Sequence, residues 1–140
     1  MSDAARTEPR RWPRLSEAGL VVVLLAAPGS AYGTGVLLSN MWAACDVGIA
    51  GNGFVMFFVM PALAVGLAVL GGMAYWAALR LSTAAGVRWP VLSATSVALL
   101  LCVAAVWVVI AVEHNPGGHY PATYCPPDNV PGWWPTWVPI

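Results

Sequence analysis

The sequence predicts an all-α integral membrane protein with three transmembrane helices and a small irregular extracytoplasmic cap. Only 9% of its 140 residues are charged, whereas a soluble domain carries about 25%. Three long apolar segments contain no charged residue. Arginine occurs in only two of the four polar stretches that flank and connect these segments. A surface so poor in charge fits lipid better than water as its solvent, and the arginine distribution gives the threading.

The first apolar segment, 18–38, follows a polar segment, 1–17, and has the length of a transmembrane helix, which needs about 20 residues. A cleaved signal peptide is the alternative, because a basic start and a strongly apolar run, 20–27, lead to small residues that end at Ala31. We favour a retained helix, because apolar character resumes after Ala31 and the polar start is long for a signal.

The second and third apolar segments cover residues 54–79 and 91–112. As helices they reach about 39 Å and about 33 Å at 1.5 Å per residue. Both lengths suffice for a hydrocarbon core of about 30 Å. Both segments are apolar on every face, and a soluble fold of this size is too small to hide two such helices from water. The sequence therefore predicts that both span a membrane.

The arginines give the threading, because cytoplasmic loops carry an excess of basic residues. Four arginines precede the first segment and two lie in the loop 80–90, while the loop 39–53 and the tail 113–140 contain no arginine or lysine. The N-terminus and the loop 80–90 are therefore predicted to be cytoplasmic, and the C-terminus extracytoplasmic. Six arginines without any lysine are typical of GC-rich genes, so we expect a bacterial cell membrane.

Tryptophan favours the headgroup layer of a membrane, because its ring is amphipathic. Three tryptophans are predicted near the inner interface (Trp12, Trp76 and Trp89) and two near the outer interface (Trp42 and Trp107), while Trp133, Trp134 and Trp137 lie in the tail. The tail also contains seven prolines, which prevent a long helix. Its tryptophans are too apolar for a freely solvated tail, so they either anchor the tail in the outer leaflet or bury against a partner.

Small residues identify candidate helix-packing faces, because membrane helices associate through close contact of their backbones. Gly29 and Gly33 lie four residues apart in the first segment, and Ala64, Ala68 and Gly72 form one stripe in the second. These faces are predicted to pack either against each other or against another protein. No ionisable residue lies deep in any segment, which argues against a transporter that works alone.

Two cysteines fall on the outer side under this threading, Cys45 in the first outer loop and Cys125 in the tail. We predict a disulfide between them, because the compartment is oxidising and the pairing leaves no outer thiol unpaired. The alternative is a metal site formed by His114, His119 and Cys125. Their spacing matches no firm zinc pattern, so we expect neither metal nor any other cofactor.

The function predicted from these features is that of a small non-enzymatic membrane protein, an accessory or interaction subunit of a membrane complex. Besides the lipid bilayer, we expect a membrane-protein partner or a homo-oligomer. The net charge of zero gives no indication of nucleic-acid binding. Two alternatives stay open, a membrane enzyme or metal-binding protein that uses the outer His/Cys tail, and a subunit of an oligomeric transporter.

Overall fold

The structure is a computed structural model that describes residues 12–46, 53–114, 125 and 130–140. Within these residues all regular secondary structure is helical, and three helices are long and apolar enough to cross a membrane. The predicted fold class is confirmed, and the chain has the architecture of a multi-pass membrane protein.

The three helices are α1 (Trp12–Ala44), α2 (Met60–Ala84) and α3 (Pro90–Glu113), and a π-helical turn (Val55–Val59) leads into α2. Each apolar segment predicted from the sequence lies inside one of these helical stretches. The longest helix, α1, has 33 residues and is therefore about 50 Å long. It exceeds the hydrocarbon core of about 30 Å, so its ends reach beyond the apolar layer.

The two prolines of the spans affect their helices differently. Pro28 lies inside α1, which continues through it. Pro61 follows the π-helical turn directly and lies in the first turn of α2. In a regular α-helix the ring of Pro61 would clash with the carbonyl of the residue four positions earlier, and proline has no N–H to donate. Winding is wider just before this position, since the N–H of Met60 donates to the carbonyl of Val55, five residues back. The helix therefore stays continuous around a proline.

A tight turn joins α2 to α3 and makes them an antiparallel hairpin. Gly86 has a φ of +68°, a conformation that glycine adopts without a steric penalty. The N–H of Gly86 donates to the carbonyl of Thr83, and that of Val87 donates to the carbonyl of Ser82. This pair of hydrogen bonds is the Schellman motif that commonly ends helices. Pro90 then starts α3, where the missing N–H of proline costs nothing.

The three helices pack pairwise against one another. We call the end that contains Ala44 and Glu113 the cap end, and the end that contains Gly86 the hairpin end. The core has three layers. The layer at the hairpin end consists of Val23, Tyr75, Ala94 and Ala98. The middle layer consists of Ala27, Leu67 and Cys102. The layer at the cap end, the largest, consists of Leu38, Met41, Trp42, Cys45, Val55, Met60, Ile110 and Cys125.

Close approach between the helices depends on three glycines. A Cβ atom on Gly71 would lie 2.7 Å from Cγ1 of Val23 and 3.1 Å from Sγ of Cys102. A Cβ on Gly19 would lie 2.8 Å from the Tyr75 hydroxyl, and one on Gly35 would lie 3.1 Å from the Met56 side chain. Side chains of neighbouring helices thus fill the space above these glycines, which is the packing mode expected between helices in lipid.

Candidate functional site

The candidate site is the cap, which we define as Cys125 together with residues 130–140, lying over the cap end of the helices. Cys125 forms a disulfide with Cys45, which follows α1 directly, and the predicted pairing is confirmed. Both cysteines are almost fully buried and belong to the core layer at the cap end. The bond therefore fastens the tail to the end of α1 in an apolar environment.

Two turns shape the tail. The N–H of Trp134 donates to the carbonyl of Pro131, and that of Val138 donates to the carbonyl of Pro135. The indole N–H of Trp134 donates to the Val138 carbonyl at 2.9 Å and so links the two turns. Pro131 is fully buried, and both Trp134 and Ile140 pack against the core layer at the cap end. The tail is thus folded back onto the helices.

A second attachment joins the end of the tail to α3. The indole N–H of Trp107 donates to the carbonyl of Pro139 at 2.8 Å. Trp107 lies in α3, about two turns before its end at Glu113. The cap is therefore held at Cys125 by a covalent bond and at Pro139 by a hydrogen bond, with an apolar contact between them.

Trp42, which the sequence places near the outer membrane interface, is buried between the helices at the cap end. Only 2% of its surface is exposed. Its indole N–H lies 3.1 Å from the carbonyl oxygen of Glu113 and 3.2 Å from that of His114. The last carbonyls of a helix lack intrahelical donors, so Trp42 satisfies the end of α3 from α1. The signal that sequence reasoning missed is its spacing from Cys45, since residues three apart share a helix face and the cysteine is buried.

Replacing Trp42 with phenylalanine is expected to lower the free energy of unfolding by about 1–3 kcal/mol, because two partly buried carbonyls lose their donor while most of the ring volume remains. Thermal unfolding in mild detergent would measure the change. Trp137→Phe is the matched control, because the Trp137 ring is 82% exposed. Equal melting temperatures for the two variants would contradict the capping role of Trp42.

The residues of the predicted metal site are only partly described. His114 is the C-cap residue that follows α3, and its Nδ1 lies 2.8 Å from the carbonyl oxygen of Ala111. The sulfur of Cys125 is bonded to Cys45 and is available to a metal only after reduction. His119 lies outside the described residues. No three His, Cys, Asp or Glu side chains come together as metal ligands in the part of the chain that the structure describes. The metal site stays a prediction.

The other predicted interface anchors differ in exposure. Trp89 at the hairpin end is 64% exposed, and the Arg88 guanidinium lies 5.7 Å from the centre of its ring. Trp133 and Trp137 are 52% and 82% exposed, whereas Trp134 is partly buried. The cap therefore uses one tail tryptophan to hold itself in place and presents the other two on its surface.

The glycines of the predicted small-residue faces lie outside the close contacts between the described helices, whereas Ala68 packs against the middle core layer. Gly29 and Gly33 are exposed, and no described atom of a neighbouring element lies within 4 Å of a Cβ built on either glycine or on Gly72. Ala64 and Ala68 are half-buried. Packing of these faces against another protein, the second possibility that the sequence left open, stays a prediction.

The disulfide and the indole hydrogen bonds hold the backbone of the cap in place. Its one described thiol pair is oxidised, and the indoles of Trp42, Trp107 and Trp134 all donate to backbone carbonyls. The cap carries the exposed side chains of Trp133 and Trp137 on a backbone that these contacts hold. Such an arrangement suits the presentation of a recognition surface.

Comparisons with protein-family models, with curated proteins and with solved structures found no match for the chain.

Proposed function

We propose that this protein is a non-enzymatic interaction subunit of a membrane-protein complex, and that the cap is its docking surface. The observation that carries the proposal is the contrast within the cap. The tail is fastened by a disulfide and by the Trp107 hydrogen bond, yet the rings of Trp133 and Trp137 stay exposed. A fixed backbone that presents tryptophan has already lost the conformational entropy that binding would otherwise remove.

Tryptophan is also the residue type most enriched among the side chains that dominate binding energy at protein interfaces. An anchor in the outer leaflet needs only an amphipathic ring at headgroup depth and no fixed backbone. Here the tail is fixed at Cys125, at Pro139 and by the buried Pro131. This degree of bracing favours a protein partner over a purely lipidic role.

The chemistry of the tail supports a non-enzymatic role. A cysteine nucleophile acts as a thiolate, but the sulfur of Cys125 is bonded to Cys45. The neighbouring His114 has one ring nitrogen within hydrogen-bond distance of a backbone carbonyl of its own helix. Two of the three groups that a catalytic tail would use, Cys125 and His114, therefore have structural partners, and the third, His119, lies outside the described residues.

We further propose that the chain lies in a bacterial cell membrane with its N-terminus in the cytoplasm and the cap outside. All six arginines fall on one side under this threading. Burial of Val23 and Ala27, which contact the other helices, supports a retained α1 rather than a cleaved signal. An alkaline phosphatase fused after Ile140 is expected to be active, since that enzyme needs an oxidising compartment, and activity of a cytosolic reporter there would overturn the threading.

Site-specific crosslinking tests the docking surface. A photo-activatable phenylalanine derivative at position 137 is expected to give one discrete protein adduct in cells, and the Trp133→Ala variant is expected to lower its yield. The same derivative at position 89, an exposed tryptophan at the hairpin end, is the control. An adduct of twice the chain's mass would identify a second copy as the partner. Adducts to lipid alone, or equal protein adducts from both positions, would overturn the proposal.

A further inference from the structure

An open crevice of about 530 Å³ runs along α2 on a side that the other helices leave exposed. Six of the residues that line it are Val69, Gly72, Met73, Trp76, Ala77 and Arg80. Its floor is made of small residues, and the exposed side chains of Val69 and Met73 form one wall. Its lining extends from Ala68 to Arg80, which is about 18 Å of helix. One leaflet of hydrocarbon is about 15 Å thick, so the crevice has the depth of one leaflet.

Trp76 and Arg80 supply the polar groups at one end of the crevice. Trp76 is half-exposed, and its ring packs edge-on against Tyr75 with 5.9 Å between the ring centres. Tyr75 is itself fixed, because it is fully buried and its hydroxyl donates to the carbonyl of Ser16. The indoles of Trp42, Trp107 and Trp134 donate to backbone carbonyls, whereas that of Trp76 has no acceptor in the described part of the chain. A positioned N–H donor is thus available at the mouth of the crevice.

Arg80 supplies the charge. It is exposed, one turn beyond Trp76 on the same line of α2, and its guanidinium has no ion pair within residues 12–46, 53–114, 125 and 130–140. Long basic side chains near a helix end extend toward the headgroups while their stems lie on apolar surface. An apolar channel one leaflet deep, with a cation and an N–H donor at its end, complements an acyl chain that carries a phosphate.

We propose that this crevice binds one anionic phospholipid. The acyl chain lies along Gly72 and beside Val69 and Met73, and the phosphate accepts hydrogen bonds from the Arg80 guanidinium and the Trp76 indole. A net negative headgroup is favoured over a zwitterionic one, because the latter brings a second cation close to Arg80. Under the proposed threading the site lies in the cytoplasmic leaflet, where basic residues attract anionic lipids. The site does not depend on the docking surface of the cap at the opposite end.

Native mass spectrometry of the detergent-solubilised protein tests the headgroup, with phosphatidylglycerol and phosphatidylcholine supplied separately. The wild-type chain is expected to retain phosphatidylglycerol preferentially, and Arg80→Gln is expected to weaken that retention about tenfold, the scale of one charge-assisted hydrogen bond. Arg88→Gln is the matched control, because it removes the same charge at the same end and Arg88 lies over Trp89 instead. Equal losses for both variants, or equal retention of both lipids, would overturn the proposal.

A second pair of variants tests the acyl chain. Gly72→Leu fills the crevice and is expected to abolish lipid retention, whereas Gly66→Leu on another exposed part of α2 is expected to leave it unchanged. Both glycines have open space around a built Cβ, so both variants are expected to fold. Inorganic phosphate and glycerol phosphate are expected not to displace the lipid. Retention that survives Gly72→Leu, or displacement by either soluble phosphate, would show an anion site without a lipid channel and contradict the proposal.

Discussion

Removing the disulfide by Cys45→Ala and Cys125→Ala is expected to release the cap and to produce the largest loss of stability among the variants considered. The bond joins residues separated by 80 positions, and the entropic model assigns about 4 kcal/mol to a loop of that length. The bilayer already restricts the unfolded chain, so this value is an upper limit. Thermal unfolding in detergent and protease cleavage of the tail at Trp134 and Trp137 would measure both effects.

Two comparisons identify the cause of that loss. Cys102→Ala removes a buried thiol of the middle core layer without breaking a crosslink, and its effect is expected to be the smaller one. Adding a reductant should bring the melting temperature of the wild type toward that of the double variant, and should leave the double variant unchanged. A tail that resists protease equally in both forms would show that Trp107 and the buried Pro131 hold the cap without the bond.

Gly71→Leu is expected to destabilise the bundle by about 3 kcal/mol, the upper part of the range for overpacking. The first added carbon already lies 2.7 Å from Val23 and 3.1 Å from Cys102, and leucine adds three more. The helices therefore have to separate at the middle of the bundle, where α1, α2 and α3 meet. The melting temperature in detergent is the direct readout.

The neighbouring glycine supplies the matched control for this variant. Gly72→Leu makes the same chemical change one residue later, but no described atom of another element lies within 4 Å of a Cβ built there. Its melting temperature is expected to stay the same or rise slightly, because leucine favours helix over glycine by somewhat under 1 kcal/mol. Val23→Ala should rescue part of the Gly71→Leu defect by making room. Equal melting temperatures for Gly71→Leu and Gly72→Leu would refute the packing assignment.

Segment length and the absence of charge predicted the three helices well, because these properties depend only on the order of residues along the chain. A run of about 20 uncharged apolar residues spans a bilayer whatever its neighbours are. The Cys45–Cys125 disulfide could also be predicted, since the proposed threading places only these two cysteines on the outer side. Both predictions follow from counting residues along the chain and need no knowledge of which helix faces meet.

The packing faces were harder to predict for a physical reason. Periodicity groups Gly29 with Gly33, but a helix that is apolar on every side has no polar face to indicate which stripe points inward. The close contacts form at Gly19, Gly35 and Gly71, and each is determined by a bulky side chain from another helix. Such pairings depend on how the helices pack, and the sequence of one helix does not show them. The helix-end contact of Trp42 was not predicted for the same reason, because an indole suits both a headgroup layer and the end of a neighbouring helix.

The bond between Cys45 and Cys125 makes a covalent ring out of everything between them, including α2, α3 and the turn at Gly86. Cys125 lies 12 positions after the end of α3 at Glu113, so the closed ring keeps the end of α3 within the reach of those residues from the end of α1. A protease cut at the Gly86 turn would leave two fragments that migrate as one molecule until a reductant separates them.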